Sequence, residues 1–225
     1  MNNIFDRSMG LLGEDSFNLI QEKVIAVFGL GGVGGTALEA LARTGFKDFI
    51  LVDFDKVDHS NLNRQILYTT KDIGRTKVEA AKERILSINE GANIQIYNLK
   101  AQDFDFNQKI DFIVDAIDDV NGKLHILKKA QELNIPSIMS LGMANRFDPS
   151  KVKIAKLNQT HSDPLAKKIR YLAKKDGLDI SKVTVVISEE LPQKNGEKLY
   201  STMMVPSSAG LSIAKYILEC IIDTK

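Results

Sequence analysis

Short apolar runs alternate with amphipathic stretches through about the first 140 residues of the chain. The apolar, β-branched runs expected to form strands are residues 23–28, 49–52, 93–99, 112–114 and 137–139. The stretches with apolar or small residues at helical spacing are residues 33–44, 76–88 and 121–133. Thr76 and Glu79 form a capping-box pattern at the start of the second helix. Repeated strand–helix units predict an α/β fold: a Rossmann-like, doubly wound, mostly parallel sheet.

The pattern changes after about residue 140. Residues 152–157 and 183–187 are predicted strands, the first alternating and therefore exposed. Asp163-Pro164 begins a helix that Gly177 can end. A last helix starts at Pro206, and its predicted apolar stripe consists of Leu211, Ala214, Ile217, Leu218 and Ile221. We therefore predict a single domain over 1–225, in which 141–225 form a C-terminal antiparallel elaboration of the sheet built by 1–140. The polar stretch 192–198 is expected to be a loop.

Composition excludes several classes of protein. Of the 225 residues, 44% are hydrophobic and 26% charged, as in soluble globular proteins. A net charge of +1 excludes a global electrostatic attraction to nucleic acid. The single cysteine excludes a disulfide framework and a cysteine-based zinc site, and is typical of a reducing cytoplasmic compartment. No apolar run approaches the ~18 residues of a membrane span, so no membrane association is expected.

A glycine-rich turn follows the first predicted strand. Gly29, Gly31 and Gly34 fit the pattern G-x-G-x-x-G, with Gly32 inside it, and a helix begins there. Such glycines let the backbone approach a phosphate at the positive end of a helix dipole. Asp53 ends the second strand, where a carboxylate can accept hydrogen bonds from ribose hydroxyls. Together they favour a nucleotide site in residues 1–140 over a mere packing corner between strand and helix.

The residues after Asp53 indicate which nucleotide binds. Arg64 offers a planar fork suited to phosphate. Lys77 lies in the first turn of a capped helix, where the dipole disfavours a cation unless an anion lies close by. A triphosphate between these two side chains would satisfy both. The alternatives are that Arg64 pairs with Asp55 or Asp58, and that Lys77 is simply solvated.

Carboxylates also follow the fourth predicted strand. Asp115, Asp118 and Asp119 come at the carboxyl edge of the sheet, where ligands bind in open α/β folds. Mg²⁺ takes one or two carboxylates together with phosphate oxygens, so Asp118 is a candidate metal ligand. Capping of the next helix is the competing role, and it suits Asp119 best.

These residues carry a family resemblance. The turn Gly29 to Gly34, Asp53-x-Asp55, residues 61–65, Lys77 and Asp115-x-x-Asp118 are similar to the adenylate-forming domain of the ThiF/MoeB/HesA superfamily of ubiquitin-activating-like enzymes. The resemblance implies ATP and Mg²⁺ as cofactors. The ATP-binding residues it implies are Gly29, Gly31, Gly32, Gly34, Asp53, Asp55, Asn61, Arg64, Gln65 and Lys77. The catalytic residues it implies are Arg64, Lys77, Asp118 and Arg7, the last reaching the partner subunit's ATP in a homodimer. Arg7 could instead be a solvated residue of a mobile terminus.

Within that superfamily, members that capture their substrate covalently use a cysteine. The only cysteine here, Cys220, falls near the end of the last predicted helix, where a buried packing role is favoured. Segments 140–145, 163–166 and 205–211 resemble the tRNA threonylcarbamoyladenosine dehydratases, and the likeness extends over about 4–222. It implies ATP-dependent dehydration, by cyclisation, of N6-threonylcarbamoyladenosine in tRNA, through an acyl-adenylate of the threonyl carboxylate. It leaves room for a monovalent cation and for a sulfur-transfer protein as partner.

A local excess of positive charge is hidden by the near-neutral total. Residues 151–175 contain eight basic side chains against one acidic one. The basic residues of the helix after Pro164 are Lys167, Lys168, Arg170, Lys174 and Lys175. We predict that they contact tRNA phosphates, although a solvated helix face has the same pattern.

Other functions remain open on the sequence alone. The first alternative is adenylation of the C-terminus of a ubiquitin-like sulfur-carrier protein. The second is a nicotinamide-binding oxidoreductase, against which the polar residues 61–65 and Lys77 argue. The third is a non-enzymatic, nucleotide-sensing scaffold.

Overall fold

A computed structural model describes residues 4–161, 163–193 and 199–222. Most of the predicted loop at 192–198 therefore lies outside the described residues. One seven-stranded sheet takes strands from both halves of the chain, in the order β3-β2-β1-β4-β5-β7-β6. The strands are β1 (Val24–Phe28), β2 (Asp48–Val52), β3 (Asn93–Tyr97), β4 (Phe112–Asp115), β5 (Ser137–Ser140), β6 (Val152–Lys156) and β7 (Thr184–Ser188). All neighbours pair in parallel except β6 with β7, which confirms the predicted fold class.

Helices cover both faces of the sheet. They are α1 (Asp6–Leu12), α2 (Glu14–Gln21), α3 (Gly32–Thr44), α4 (Lys77–Leu86), α5 (Val120–Glu132), α6 (Pro164–Lys175) and α7 (Met204–Ile222). Thr76 caps α4 by accepting the N–H of Glu79, although the Glu79 carboxylate bonds the Thr76 hydroxyl instead of its backbone. The chain order reverses between β1 and β4, so the carboxyl ends of these two strands flank the crevice where open α/β sheets bind ligands.

The last helix differs from its prediction in two respects. It begins at Met204, two residues before Pro206. Leu211, predicted to belong to the apolar stripe, is 56% exposed, whereas Gly210 and Ile213 are buried. The reason is a close crossing of α7 over α3, because a Cβ at Gly210 would lie only 2.5 Å from the carbonyl oxygen of Val33. The apolar stripe therefore includes a glycine, which a search for large apolar residues passes over.

The expectation about membrane-spanning stretches also needs correction. By length and composition, α7 is apolar enough to cross a membrane. Val205, Ala209 and Ile217 on this helix are nevertheless completely buried in the main hydrophobic core. Its apolar character is that of a core helix.

Candidate nucleotide-binding active site

The glycine turn between β1 and α3 leaves no room for a side chain at Gly29 or Gly34. Gly29 has φ +86°, and a Cβ there would lie 2.7 Å from the carbonyl group of Ala116. A Cβ at Gly34 would lie 1.9 Å from the carbonyl oxygen of Gly29. The turn is thus packed on its own helix and on the segment after β4, and the first N–H groups of α3 remain available to a ligand.

Asp53 ties this turn to the segment that follows β2. One of its carboxylate oxygens accepts the N–H of Leu30 at 2.6 Å, and the other accepts the N–H of Asp55 at 2.9 Å. Burial raises the pKa of Asp53 above its ordinary value, although nearby Lys77 and the two backbone donors oppose this shift. The carboxylate therefore orients the glycine turn and is itself buried at the edge of the site.

Lys77 is the first residue of α4 and is 6% exposed. Its Nζ donates to Asp55 Oδ2 at 2.7 Å, so the alternative of a simply solvated Lys77 is wrong. A buried ammonium at a helix N-terminus is unfavourable, and a single carboxylate that is half exposed compensates it only in part. The site is prepared for a further anion.

Arg64 does not pair with Asp55 or Asp58, contrary to the surface alternative. Its Nη1 donates to the carbonyl oxygen of Ser60 at 2.7 Å and to Asn63 Oδ1 at 2.9 Å. Within the described residues, its Nε and Nη2 have no hydrogen-bond partner. These local bonds hold the guanidinium in place and leave three of its five N–H donors for a ligand.

Two further predicted residues complete this side of the site. Asn61 Oδ1 accepts the N–H of Asp58 at 3.1 Å, which closes the short turn that carries Arg64. Gln65 is buried close to Gly31, and its Oε1 has no hydrogen-bond partner in the described part of the chain. An unpaired buried amide oxygen is costly unless a ligand or water bonds it.

The two carboxylates that follow β4, Asp118 and Asp119, have different roles. Asp119 caps α5 by accepting the N–H of Gly122 at 2.7 Å, and this bond lowers the pKa of Asp119. Asp118 is exposed and makes no hydrogen bond or ion pair with any described residue. Capping therefore falls to Asp119 alone, and the Asp118 carboxylate is available to a ligand.

One polar residue of the site escaped the sequence-based prediction. Lys123 is fully buried, and its Nζ donates to Asp115 Oδ1 at 2.8 Å and to the carbonyl oxygen of Ser140 at 2.7 Å. Burial raises the pKa of Asp115, whose second oxygen has no partner in the described part of the chain. This pair joins the ends of β4 and β5 to the first turns of α5. A lysine four residues after a helix cap, on the side that faces the sheet, is the signal that could have indicated it.

Two adjoining cavities open at this edge of the sheet. The first, of about 660 Å³, is lined by ten of the predicted residues: Gly29, Gly31, Gly32, Asp53, Asp55, Asn61, Arg64, Gln65, Lys77 and Asp118. Gly34 lies behind the turn and does not line it. The second cavity, of about 790 Å³, extends past Ser140–Arg146 to Tyr200. The residues common to both are Gly32, Arg64, Ala116, Ile117 and Asp118.

The remaining predicted residues lie apart from the cavities. Arg7 is exposed on α1 and lines neither cavity. On α6, Lys167, Lys168, Lys174 and Lys175 are exposed. Arg170 is half-buried, and its Nη1 donates to the carbonyl oxygen of Thr160 at 2.8 Å and to the Thr160 hydroxyl.

Comparisons with known proteins agree with this geometry. The sequence profile of the ThiF family matches residues 5–186. Over 192 residues the chain is 36% identical to the tRNA threonylcarbamoyladenosine dehydratase of Bacillus subtilis (strain 168), covering 84% of this chain and 75% of that protein. The homologous enzyme of Escherichia coli (strain K12) is 34% identical over 176 residues, which are 76% of this chain and 66% of that protein.

Solved structures extend the similarity over nearly the whole fold. The structure of the E. coli tRNA N6-threonylcarbamoyladenosine dehydratase in complex with ATP superposes with a TM-score of 0.91 at 29% identity, covering 98% of this chain and 94% of that one. The same enzyme in complex with AMP gives a TM-score of 0.90 at 30% identity, covering 98% and 94%. The chain described here therefore belongs to the ThiF family.

Proposed function

We propose that this chain is an ATP-dependent tRNA threonylcarbamoyladenosine dehydratase. The observation that carries the proposal is the pair of adjoining cavities, one with phosphate-binding features and one with space for a second substrate. Arg64 and Asp118 lie where they meet. The relatives that match most of the chain carry this activity in their names, and one of them is solved with ATP.

The two substrates bind in different cavities: ATP in the first, and the threonylcarbamoyl group of the tRNA in the second. A carboxylate oxygen of the threonyl group attacks the α-phosphorus of ATP, and pyrophosphate leaves, which yields an acyl-adenylate. The carbamoyl nitrogen of the same substituent then attacks the acyl carbon, loses its proton, and expels AMP. The ring forms within one molecule, so proximity supplies much of the rate. No enzyme nucleophile is needed, in keeping with Cys220, which lines neither cavity.

Residues where the two cavities meet stabilise the negative charge of the ATP phosphates. The free Nε and Nη2 of Arg64 and the buried ammonium of Lys77 bind the phosphates. Asp53 accepts the ribose hydroxyls, and Asn61 and Gln65 support the same nucleotide.

Mg²⁺ fits the arrangement because the exposed Asp118 carboxylate has no other partner among the described residues and lines the cavity with Arg64 and Lys77. When bound, Mg²⁺ would neutralise charge that develops on the phosphates. Asp118 would be its protein ligand, beside the phosphate oxygens of the nucleotide. A monovalent cation remains an expectation, to which no residue is assigned.

The substrate tRNA lies along α6. The first residues of this helix, Pro164 and Leu165, line the second cavity, and the exposed lysines continue away from it. An RNA backbone bound to these lysines places a nearby nucleotide at the cavity.

The active species is a cytoplasmic homodimer in which Arg7 reaches the partner's ATP. A sulfur-transfer protein is a candidate partner of that dimer.

Mass analysis of tRNA nucleosides after incubation with ATP tests the proposed activity. The expected result is that threonylcarbamoyladenosine loses one water, with one AMP released per product. Asp118→Ala should abolish AMP release without changing the thermal unfolding, because its side chain is exposed. An intact nucleoside, together with pyrophosphate exchange that requires a ubiquitin-like carrier, would favour the sulfur-carrier alternative. A thermal shift by NADH but not by Mg-ATP would favour an oxidoreductase.

A further inference from the structure

The second cavity contains one aromatic side chain among its described lining residues. Tyr200 lines it with 54% of its surface exposed, and its hydroxyl has no hydrogen-bond partner in the described part of the chain. The backbone of Tyr200 is held by two hydrogen bonds to Asn145.

Two asparagines fix the segment that carries Tyr200. Asn145 adopts a left-handed conformation with φ +57°, which an asparagine tolerates well. Its Oδ1 accepts the N–H of Tyr200 at 2.7 Å, and its own N–H donates to the Tyr200 carbonyl oxygen at 2.7 Å. Asn63 Nδ2 donates to the carbonyl oxygen of Ser201 at 2.8 Å. Tyr200 is thus presented from a backbone anchored both to the loop after β5 and to the segment that carries Arg64.

The neighbouring cation of the same cavity, Arg146, is held by three separate segments of the chain. Arg146 Nε donates to the carbonyl oxygen of Glu190 at 2.9 Å, and Nη2 donates to Asp163 Oδ2 at 3.0 Å. Its Nη1 bonds the carbonyl oxygen of Gly142. Arg146 and Asp163 form a buried ion pair that stabilises the wall of the second cavity. The Arg146 guanidinium is therefore not free to bind a substrate carboxylate. Among the described residues that line this cavity, Arg64 is the other cation, so we expect the substrate carboxylate to bind near it.

We propose that Tyr200 is the surface on which the modified adenine of the tRNA stacks when it is extruded from the RNA. This inference rests on the proposed function. Enzymes that act on a base within an RNA commonly extrude it and stack it on an aromatic side chain. With the purine on Tyr200, its threonylcarbamoyl arm extends along the cavity towards Arg64 and Asp118, where the α-phosphate of ATP lies. The exposed lysines of α6, a helix that begins at the edge of this cavity, can bind the phosphate backbone attached to the extruded base.

Steady-state kinetics on tRNA bearing threonylcarbamoyladenosine test the role of Tyr200. Stacking is worth ~1–3 kcal/mol for each base, so Tyr200→Ala should lower kcat/KM for tRNA by roughly 5-fold to 150-fold. Tyr200→Phe should keep nearly full activity, and the KM for ATP should change in neither variant. Phe147→Ala is the matched control, because Phe147 is another exposed aromatic residue, close in sequence to Asn145, that lines neither cavity.

A spectroscopic signal separates stacking from a structural role. The chain has no tryptophan, so Tyr200→Trp introduces a single tryptophan at the site, whose fluorescence can be excited separately from that of the remaining tyrosines. Its fluorescence should be quenched by the modified tRNA and much less by the same tRNA without the modification. This variant also reports on binding if Tyr200→Ala fails to fold.

The outcomes distinguish the inference from the function on which it rests. Unchanged kcat/KM in Tyr200→Ala, or equal quenching of Tyr200→Trp by both tRNAs, overturns the stacking role while wild-type dehydration stands. A wild-type protein that converts no threonylcarbamoyladenosine overturns the proposed function, and the stacking role falls with it.

Discussion

At the scale of single residues, the site depends on carboxylates and cations that are buried without full compensation. Asp53 accepts two backbone N–H groups, yet burial still raises its pKa above the ordinary 3.8. The folded state thus favours the protonated form, so Asp53 contributes most stability below pH 3.8, and that contribution is lost as pH rises through the higher folded pKa. At neutral pH the charge is kept at some cost in stability, as expected for a group that serves binding.

This raised pKa predicts how nucleotide binding depends on pH. Ribose hydroxyls donate to the ionised carboxylate, so protonation of Asp53 removes an acceptor, and it does so at a higher pH than for a solvent-exposed aspartate. The affinity for AMP, measured by calorimetry as the pH is lowered from neutrality towards the ordinary aspartate pKa of 3.8, should fall more in the wild type than in Asp53→Asn. The phosphate of AMP titrates in both, so the ratio of the two affinities isolates Asp53. If the ratio of the two AMP affinities stays constant over this pH range, Asp53 does not accept the ribose hydroxyls.

Several residues of the site could be predicted from the sequence, but the side chains with which they form ion pairs and hydrogen bonds could not. Asp53 and Asp118 can be predicted because each follows a strand whose position is set locally, and Arg64 because its planar guanidinium falls in the polar segment after Asp53. The ion pair between Lys77 and Asp55 and the buried Lys123 depend instead on how separate βα units pack together. That packing is a tertiary property, and no local pattern specifies it.

At the scale of whole elements, the crossing of α7 over α3 holds the glycine helix in place. The atoms nearest to a Cβ at Gly210 would be the Val33 carbonyl oxygen at 2.5 Å, Thr36 Cβ at 2.7 Å and the Ala37 backbone nitrogen at 2.9 Å. None of these atoms lies at the end of a flexible side chain. A larger residue must therefore push the two helices apart and move the N-terminus of α3 at the first cavity.

Gly210→Ala should lower the free energy of unfolding by about 1–3 kcal/mol, the usual cost of overpacking. Alanine is the better helix former by ~1 kcal/mol, so a helical glycine with free space should show the opposite sign. Gly10 in α1 provides this control, because a Cβ there would meet nothing within 4 Å. Chemical denaturation of both variants, with ATP binding measured in parallel, checks the prediction. A stabilised Gly210→Ala would show that the crossing is looser than described.

The basic face of α6 makes a separate prediction. Lys167 and Lys168 are exposed, so the double change Lys167→Gln and Lys168→Gln should weaken tRNA binding and leave ATP binding unchanged. The slope of log affinity against log salt should fall by about 0.7 to 0.9 for each phosphate that no longer binds a lysine. The matched control is the same change at Lys128 and Lys129, consecutive lysines of α5 that already pair with Glu132. Identical slopes for the two double variants would mean that α6 does not bind the RNA.

At the scale of the whole molecule, local patterns were enough to predict the sheet but not the second cavity. Each strand and helix is encoded within a few residues, and the confirmed fold follows from repeating such units. The wall of the second cavity combines segments at 60–64, 116–118, 140–146, 163–165 and 199–201. These segments meet only because their strands and helices end at the same edge of the sheet. The proposed place of the second substrate can therefore be identified only in the folded chain.

The proposed homodimer leads to a quantitative test. Arg7 lies on α1 outside both cavities, so it can serve an active site only across a subunit interface. Arg7→Ala and Arg64→Ala should each be inactive alone. When equal amounts are allowed to exchange subunits, half of the dimers are mixed, and each mixed dimer has one site with both arginines intact. AMP release should then recover to about a quarter of the wild-type rate per subunit. An inactive mixture, with subunit exchange demonstrated by differently tagged chains, would place Arg7 and Arg64 in the same subunit's site, whereas an active Arg7→Ala homodimer would remove Arg7 from the reaction.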